Sequence, residues 1–219
     1  MARRRQRVWS VFPVLRWLER TLFLVAFICL GWFGYASVEA RLYQEFENQQ
    51  LEQILAGAPE GTSNVNPRDA HAPPAPGSVV GRIEIPRLGV STIVRAGVDP
   101  RTLQLAVGHI PGTALPGEPG NIGLAAHRDT FFRRLRYIRP NDEIRLVTAG
   151  GTFAFSVQRT RIVWPRDTWV LDATATPTLT LVTCYPFTYV GAAPQRFIVH
   201  AVSTTSAPAD TAASTTALR

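Results

Sequence analysis

The hydrophobic positions fall into three patterns along the chain. From Thr21 to Val38, "TLFLVAFICLGWFGYASV", 18 residues pass without a charge. As a helix this stretch spans about 27 Å, near the roughly 30 Å hydrocarbon thickness of a bilayer. From Glu39 to Leu55 the apolar residues Leu42, Phe46, Leu51, Ile54 and Leu55 sit among Glu and Gln, which predicts a continuing helix serving as a stalk. From Val79 to Val202 the pattern changes to short apolar runs between turn signals. "VVGRIEI", "STIVRAGV", "NIGLAA", "EIRLVT", "TFAFSVQRT", "TLTLVT" and "RFIVHAV" are rich in Val, Ile, Thr and Phe and are punctuated by Pro-Gly, Asn-Asp and Gly-Gly, the signature of strands. Only "RTLQLAVGH" and "DTFFRRLRYI" read as short helices. An antiparallel barrel or sandwich is expected, closure being the usual way such sheets remove their edges.

These patterns divide the chain into a basic N-terminus (1–20), an apolar span (21–38), a stalk and Pro-rich linker (39–78), a folded domain (79–202) and a low-complexity tail (203–219). The linker includes "GAPEGTSNVNPRDAHAPPAPG", which has little capacity to form a core, and the tail composition predicts disorder. The domain of 124 residues suffices for one independent core.

Charge changes the picture once it is located. The net charge is +7. Residues 1–20 carry six arginines against Glu19, a net +5, so everything after them carries +2. A basic terminus on a nearly neutral body argues for orientation in a membrane and against a nucleic-acid-binding face. Trp17 on one side of the apolar span and Trp32 and Tyr35 on the other form an aromatic belt. The preceding arginines predict a cytoplasmic N-terminus, with the rest of the chain outside the cytoplasm. The rival is a cleaved signal peptide, whose apolar region is typically about 7–15 residues. "SVEA" is a poor cleavage site, so an uncleaved anchor is the expectation.

Cys29 lies inside the span, which leaves Cys184 as the one thiol of the exported part. An unpaired cysteine in an exported chain is either an inert small hydrophobe or a reactive group. Period-two alternation separates these. Leu179, Leu181 and Thr183 point one way; Thr180, Val182 and Cys184 point the other, so with the leucines inward Cys184 emerges on the outer face. Pro186 then ends the ladder, since proline has no donor. In "NIGLAAH" the same alternation sends Gly123, Ala125 and His127 to one side, giving a bare floor on which an extended peptide can lie. In "QRFIVHA" it sends Arg196, Ile198 and His200 outward. Cys184, His127 and Arg196 thus each fall at a strand end. A thiolate attacks an acyl carbon, an imidazolium protonates the leaving amine, and a guanidinium bonds the oxyanion or the substrate backbone. His109 and His200 compete for the acid/base role, and Asp129 is expected to cap the following turn rather than to orient His127. No metal-ligand spacing is present and no phosphate-binding glycine motif, so no metal and no cofactor is expected.

"TLVTC" (Thr180 to Cys184), "LAAHRDTFFRRL" (Leu124 to Leu135) and "APQRFIV" (Ala193 to Val199), in that order of His, Cys and Arg, resemble the signature segments of sortases. "GRIEIPRLGV" and "GTALPGEPGN" resemble class D sortases in particular, with Ala126 standing where the family pattern has Gly. The resemblance implies an all-β fold, a closed eight-stranded β-barrel with short helices, preceded by the transmembrane helix. It implies a cysteine transpeptidase with Cys184 as nucleophile, His127 as general acid/base and Arg196 holding substrate and oxyanion, with Thr183, Ala126, Ala125 and Tyr185 contacting substrate. The partners it implies are surface proteins with a Leu-Pro-x-Thr-Gly/Ala sorting signal and an amine acceptor, either a cell-wall precursor or a pilin lysine. Two rival readings stand beside it. One is another cysteine hydrolase or a peptidoglycan transpeptidase; the other is an anchored, non-catalytic peptide-binding β-domain.

Overall fold

The computed structural model describes residues 11–57 and 73–204; the first ten residues of the basic N-terminus, most of the expected linker and the tail after residue 204 lie outside the described residues. The chain divides into two units, Met1–Tyr43 and Gln44–Arg219. The helix α1 (Val11–Gly57) has 47 residues. Within it Leu15–Tyr35, 21 residues with exposed side chains, is long and apolar enough to cross a membrane. The stretch begins six residues before the uncharged run, because Leu15, Trp17 and Leu18 extend the apolar surface past Arg16 and Glu19.

Eight strands form the second unit: β1 (Val79–Ile85), β2 (Val90–Ala96), β3 (Val107–His109), β4 (Asn121–Ala125), β5 (Glu143–Thr148), β6 (Gly151–Val163), β7 (Thr178–Tyr185) and β8 (Gln195–Ser203). They close into a barrel in the order β1-β2-β3-β4-β7-β8-β6-β5. The expected barrel is thus present, but it is not wholly antiparallel: β2–β3 and β4–β7 pair in parallel. A parallel neighbour needs a long crossover. Between β4 and β7 the chain supplies one through the β5–β6 hairpin; between β2 and β3 it supplies α2 (Pro100–Leu105). Asp99 caps α2, its carboxylate accepting from the Thr102 amide at 3.0 Å, and Pro100 takes the first-turn position where no N–H is needed.

Alternate positions fill the interior. Ile83 and Ile85, Ile144 and Leu146, Phe155 and Val157, Leu179 and Leu181, and Val199 and Ala201 are all essentially inaccessible. Phe132 and Leu135, from the connection between β4 and β5, join the same cluster through a 3₁₀ turn at Arg133–Tyr137. The sequence predicts a helix there, and the short 3₁₀ form suits a segment that places every third residue inward.

That connection is fastened from below by Arg87 and the buried Asp142. Arg87 donates through Nε and Nη2 to both carboxylate oxygens, and Nη2 also donates to the Tyr137 carbonyl at 2.7 Å. The Arg139 amide donates to the same carboxylate at 2.8 Å. The Arg87 hydrogen bonds, with the Arg139 amide, hold the Asp142 carboxyl below the usual carboxylate range against the opposing effect of burial. A depressed folded-state pKa gives stability that is fully present above the unfolded value, near pH 4, and is lost as pH falls through the folded one. Urea midpoints measured from pH 7 to pH 2.5 should therefore drop steeply below about pH 4 in the wild type. Asp142→Asn should lower the midpoint at pH 7 and flatten the acid limb.

Candidate active site

The parallel register of β4 on β7 sets Ala125 opposite Val182, and the Ala126 amide continues the pairing by donating to the Val182 carbonyl at 3.2 Å. Counted two residues on from that pair, the same register sets His127 level with Cys184. On the other side of β7, the antiparallel register sets Cys184 directly opposite Arg196. Residues that face each other across a ladder share a sheet face. The inward neighbours Leu181 and Val199 are fully buried, so the row His127–Cys184–Arg196 lies on the outer face. Cys184 and Arg196 sit on adjacent strands, roughly 4.8 Å apart, and His127 follows the end of β4, the neighbour of β7 on its other side. Cys184 and Arg196 are half-buried and His127 is exposed. His127 itself lies two residues past the end of β4, not on the strand, so it is the continued register rather than strand alternation that places it.

Several bonds hold the row. Thr183 points inward, 2% exposed, and its hydroxyl donates to the Ala126 carbonyl at 2.7 Å. The residue before Cys184 thus grips the residue before His127. The Phe132 amide donates to the His127 carbonyl at 3.1 Å, tying the turn to a core side chain. Arg128 reaches the loop between β7 and β8, donating through Nη2 to the Tyr189 carbonyl at 2.6 Å and the Gly191 carbonyl at 3.0 Å. At the start of β8, Arg196 donates through Nη1 to the carbonyl of Ala193 in that loop at 3.2 Å and to that of its neighbour Gln195 at 2.9 Å. Sequence reasoning quoted Arg128 without assigning it a role, because its carbonyl partners lie about sixty residues away and carry no side-chain signal.

The four residues expected to contact substrate separate. Ala125 is half-buried on the outer floor beside Val182. Ala126 is 6% exposed and packs in the core, and Thr183 is committed to its carbonyl; neither side chain faces the groove. Tyr185 points away from the row, stacked on Phe197 with centroids 6.3 Å apart and meeting Phe187 edge-on at 6.1 Å.

The expected bare floor is shorter than the alternation predicts. A Cβ at Gly123 would meet Thr113 Cγ2 at 2.9 Å, Leu171 Cδ2 at 3.1 Å and Ile110 Cδ1 at 3.2 Å. The β3–β4 loop and the β6–β7 connection therefore close over that end. The buried Asn121 pins the connection, its amide donating to the Val170 and Asp172 carbonyls at 3.1 and 3.2 Å while its carbonyl accepts from the Thr180 hydroxyl at 2.8 Å. From Cys184 back to the covered Thr180 is four residues, about 13 Å of extended chain.

The rival histidines are placed elsewhere. His109 is 4% exposed and its Nε2 donates to the Ala114 carbonyl at 2.9 Å, stapling the β3–β4 loop. His200 pairs with Thr180, four ladder positions from the Cys184–Arg196 pair. Burial, and then Arg159 and Arg161, push its pKa down. Asp129 does not cap the following 3₁₀ turn, whose capping position is Phe132 without a side-chain bond.

A family model described as Sortase domain matches residues 83–204. The chain is 31% identical to Sortase D from Bacillus subtilis (strain 168) over 187 residues, covering 82% of this chain and 94% of that one. Among solved structures, a Sortase D5 transpeptidase from Clostridium perfringens superposes with a TM-score of 0.61 at 26% identity, covering 74% of this chain and 96% of that one. Sortase C from Clostridium perfringens SM101 gives 0.56 at 26% identity, with coverages of 73% and 85%.

Proposed function

This chain belongs to the sortase family of cysteine transpeptidases, and from that membership we propose that His127, Cys184 and Arg196 are its catalytic groups. In this reading the Cys184 thiolate attacks the carbonyl carbon of the threonine in a Leu-Pro-x-Thr-Gly/Ala sorting signal. The C–N bond breaks, the leaving amine takes a proton from His127, and a thioacyl enzyme remains. An acceptor amine then attacks the same carbon. The new C–N bond forms, the C–S bond breaks, the thiolate returns to Cys184 and the amine proton goes to His127. Arg196 stabilises the oxyanion formed in both steps.

The single observation that carries this is the register row: a thiol flanked on one side by an imidazole-bearing turn and on the other by a guanidinium, all on one outer face. The covered end of the floor supports the choice of substrate. A floor that runs about four residues from Cys184 before Ile110, Thr113 and Leu171 cover it suits a short motif bound in extended form with its first, apolar residue against that cover. The apolar helix stretch Leu15–Tyr35 and the arginines of residues 1–20 support anchoring in the bacterial cytoplasmic membrane with the N-terminus inside. The barrel then works outside, where surface proteins and wall precursors meet.

The test is an intact mass of the full chain after mixing with a Leu-Pro-x-Thr-Gly/Ala peptide library. An adduct on Cys184 carrying the peptide up to Thr identifies nucleophile, bond and motif together. A chain that stays unmodified while iodoacetamide alkylates Cys184 readily would assign it a different acyl donor.

A further inference from the structure

The loop between β7 and β8 holds one end of Arg196, and packing holds little of that loop. Residues 188–192 are all exposed, Val190 94%. Gly191, at φ +91°, lies in the left-handed region that favours glycine, and a Cβ there would meet nothing within 4 Å. Among the described residues only two side chains from outside the loop hydrogen-bond to it. One is Arg196, through the Ala193 carbonyl; the other is Arg128, through the Tyr189 and Gly191 carbonyls. Both Arg128 bonds come from one nitrogen, Nη2, so carbonyls two residues apart are gathered onto a single donor. Arg128 is half-buried and follows His127, whose own carbonyl accepts from the amide of the fully buried Phe132. A line of bonds thus runs from the core through the histidine turn and Arg128 into the loop, and from Ala193 to Arg196, without passing through Cys184.

Resting on the role given above to Arg196, we propose that Arg128 is a positioning residue. It holds the β7–β8 loop so that the Ala193 carbonyl keeps the Arg196 guanidinium in the plane that faces the oxyanion. Without the tether the carbonyl moves with the loop, and the guanidinium either follows it or loses it. Arg128 touches no reacting atom; it acts through the loop and then through Arg196. A displacement of about 1 Å in a positioned group costs up to roughly 10²-fold in rate, so a contact this far from the chemistry can still be felt there. Because one nitrogen makes both bonds, an ammonium, with three donors on one atom, can replace it. At Arg128, unlike Arg196, lysine is therefore a conservative substitute.

The experiment follows single-turnover acylation of Cys184 by a Leu-Pro-x-Thr-Gly donor, using the full chain in zwitterionic nanodiscs. Arg128→Met keeps the apolar stem and removes the donors. It should slow acylation at saturating donor on the order of tenfold with KM little changed, while Arg128→Lys stays within about twofold of wild type. In an Arg196→Ala background the Met substitution should cost less than about twofold, because residues joined in one network do not add. Amide exchange at residues 187–193 should quicken on the order of tenfold in Arg128→Met and not in Arg128→Lys. The same tenfold cost in both backgrounds would make Arg128 act apart from Arg196 and overturn the proposal. So would a wild-type rate in Arg128→Met, or a loss in both variants with a lowered thermal midpoint, which marks a contact of the fold alone. The pH profile of Cys184 alkylation by iodoacetamide should coincide in wild type and Arg128→Met. A profile displaced to higher pH would give Arg128 the work of charging the thiol and sink the tether. A wild-type chain that the donor never acylates would sink the transpeptidase assignment instead. The exchange measurement needs no acyl transfer, and unchanged exchange in Arg128→Met would by itself overturn this proposal.

Discussion

Replacing Cys184 with alanine should abolish cleavage and transfer, a loss on the order of 10⁴- to 10⁶-fold, as when the nucleophile of a catalytic unit is removed. No second thiol can substitute, because Cys29 lies within the apolar stretch of α1. Cys184→Ser should not restore the rate: a hydroxyl ionises far less readily than a thiol, and among the described residues no base, His127 included, is hydrogen-bonded to the Cys184 side chain. The effect should be chemical and not structural. Cys184 lies half-buried on the outer face while the core packs from Leu179, Leu181 and Val199, so the thermal midpoint should stay near that of the wild type. The measurement is donor cleavage by chromatography alongside intact mass. Alanine-variant cleavage within tenfold of wild type would remove Cys184 from the mechanism and leave the register row without a nucleophile.

How far the sequence foretold this site depends on which interactions are local. The strands β1 and β5 are legible to the residue, because each alternates cleanly between core and solvent. β3 is not: its three residues follow α2 so closely that the pair reads as one helix. β6 continues three residues beyond Thr160, through Arg161, Ile162 and Val163; pairing with β8 holds that end, where only Val163 is buried. The candidate nucleophile could be placed from alternation alone, because Leu179 and Leu181 fix the inward face of β7. The floor could not, since Gly123 is as small as expected but is covered by side chains from two distant loops. The resemblance implies a substrate contact for Thr183, although alternation already turns it inward with Leu179 and Leu181. Its hydroxyl is taken by a carbonyl 57 positions earlier, and only the parallel pairing of β4 with β7, which leaves no mark in local periodicity, brings the two together.

The second large effect is expected at Arg196. Arg196→Ala should lower kcat/KM about 10²- to 10³-fold, the cost of removing an oxyanion donor, and Arg196→Lys should recover only a small part of it. The reason lies in how the guanidinium is held. Nη1 is committed to the Ala193 and Gln195 carbonyls, which fixes the plane of the group; Nε and Nη2 have no partner among the described residues and remain free to donate. An ammonium has three donors around one atom and no fork. It can satisfy the loop carbonyls or face the oxyanion, but not both in the geometry a planar group provides. Separating kcat from KM shows which work is lost. A fall in kcat with KM unchanged marks a transition-state contact, and a rise in KM alone marks a grip on the bound peptide. Single-turnover acylation followed by mass, in wild type and both variants, gives the same distinction for the first step. Full activity in Arg196→Lys would mean that only a positive charge is needed at this position, and the fork held by Ala193 and Gln195 would then serve to shape the β7–β8 loop and not to stabilise the oxyanion.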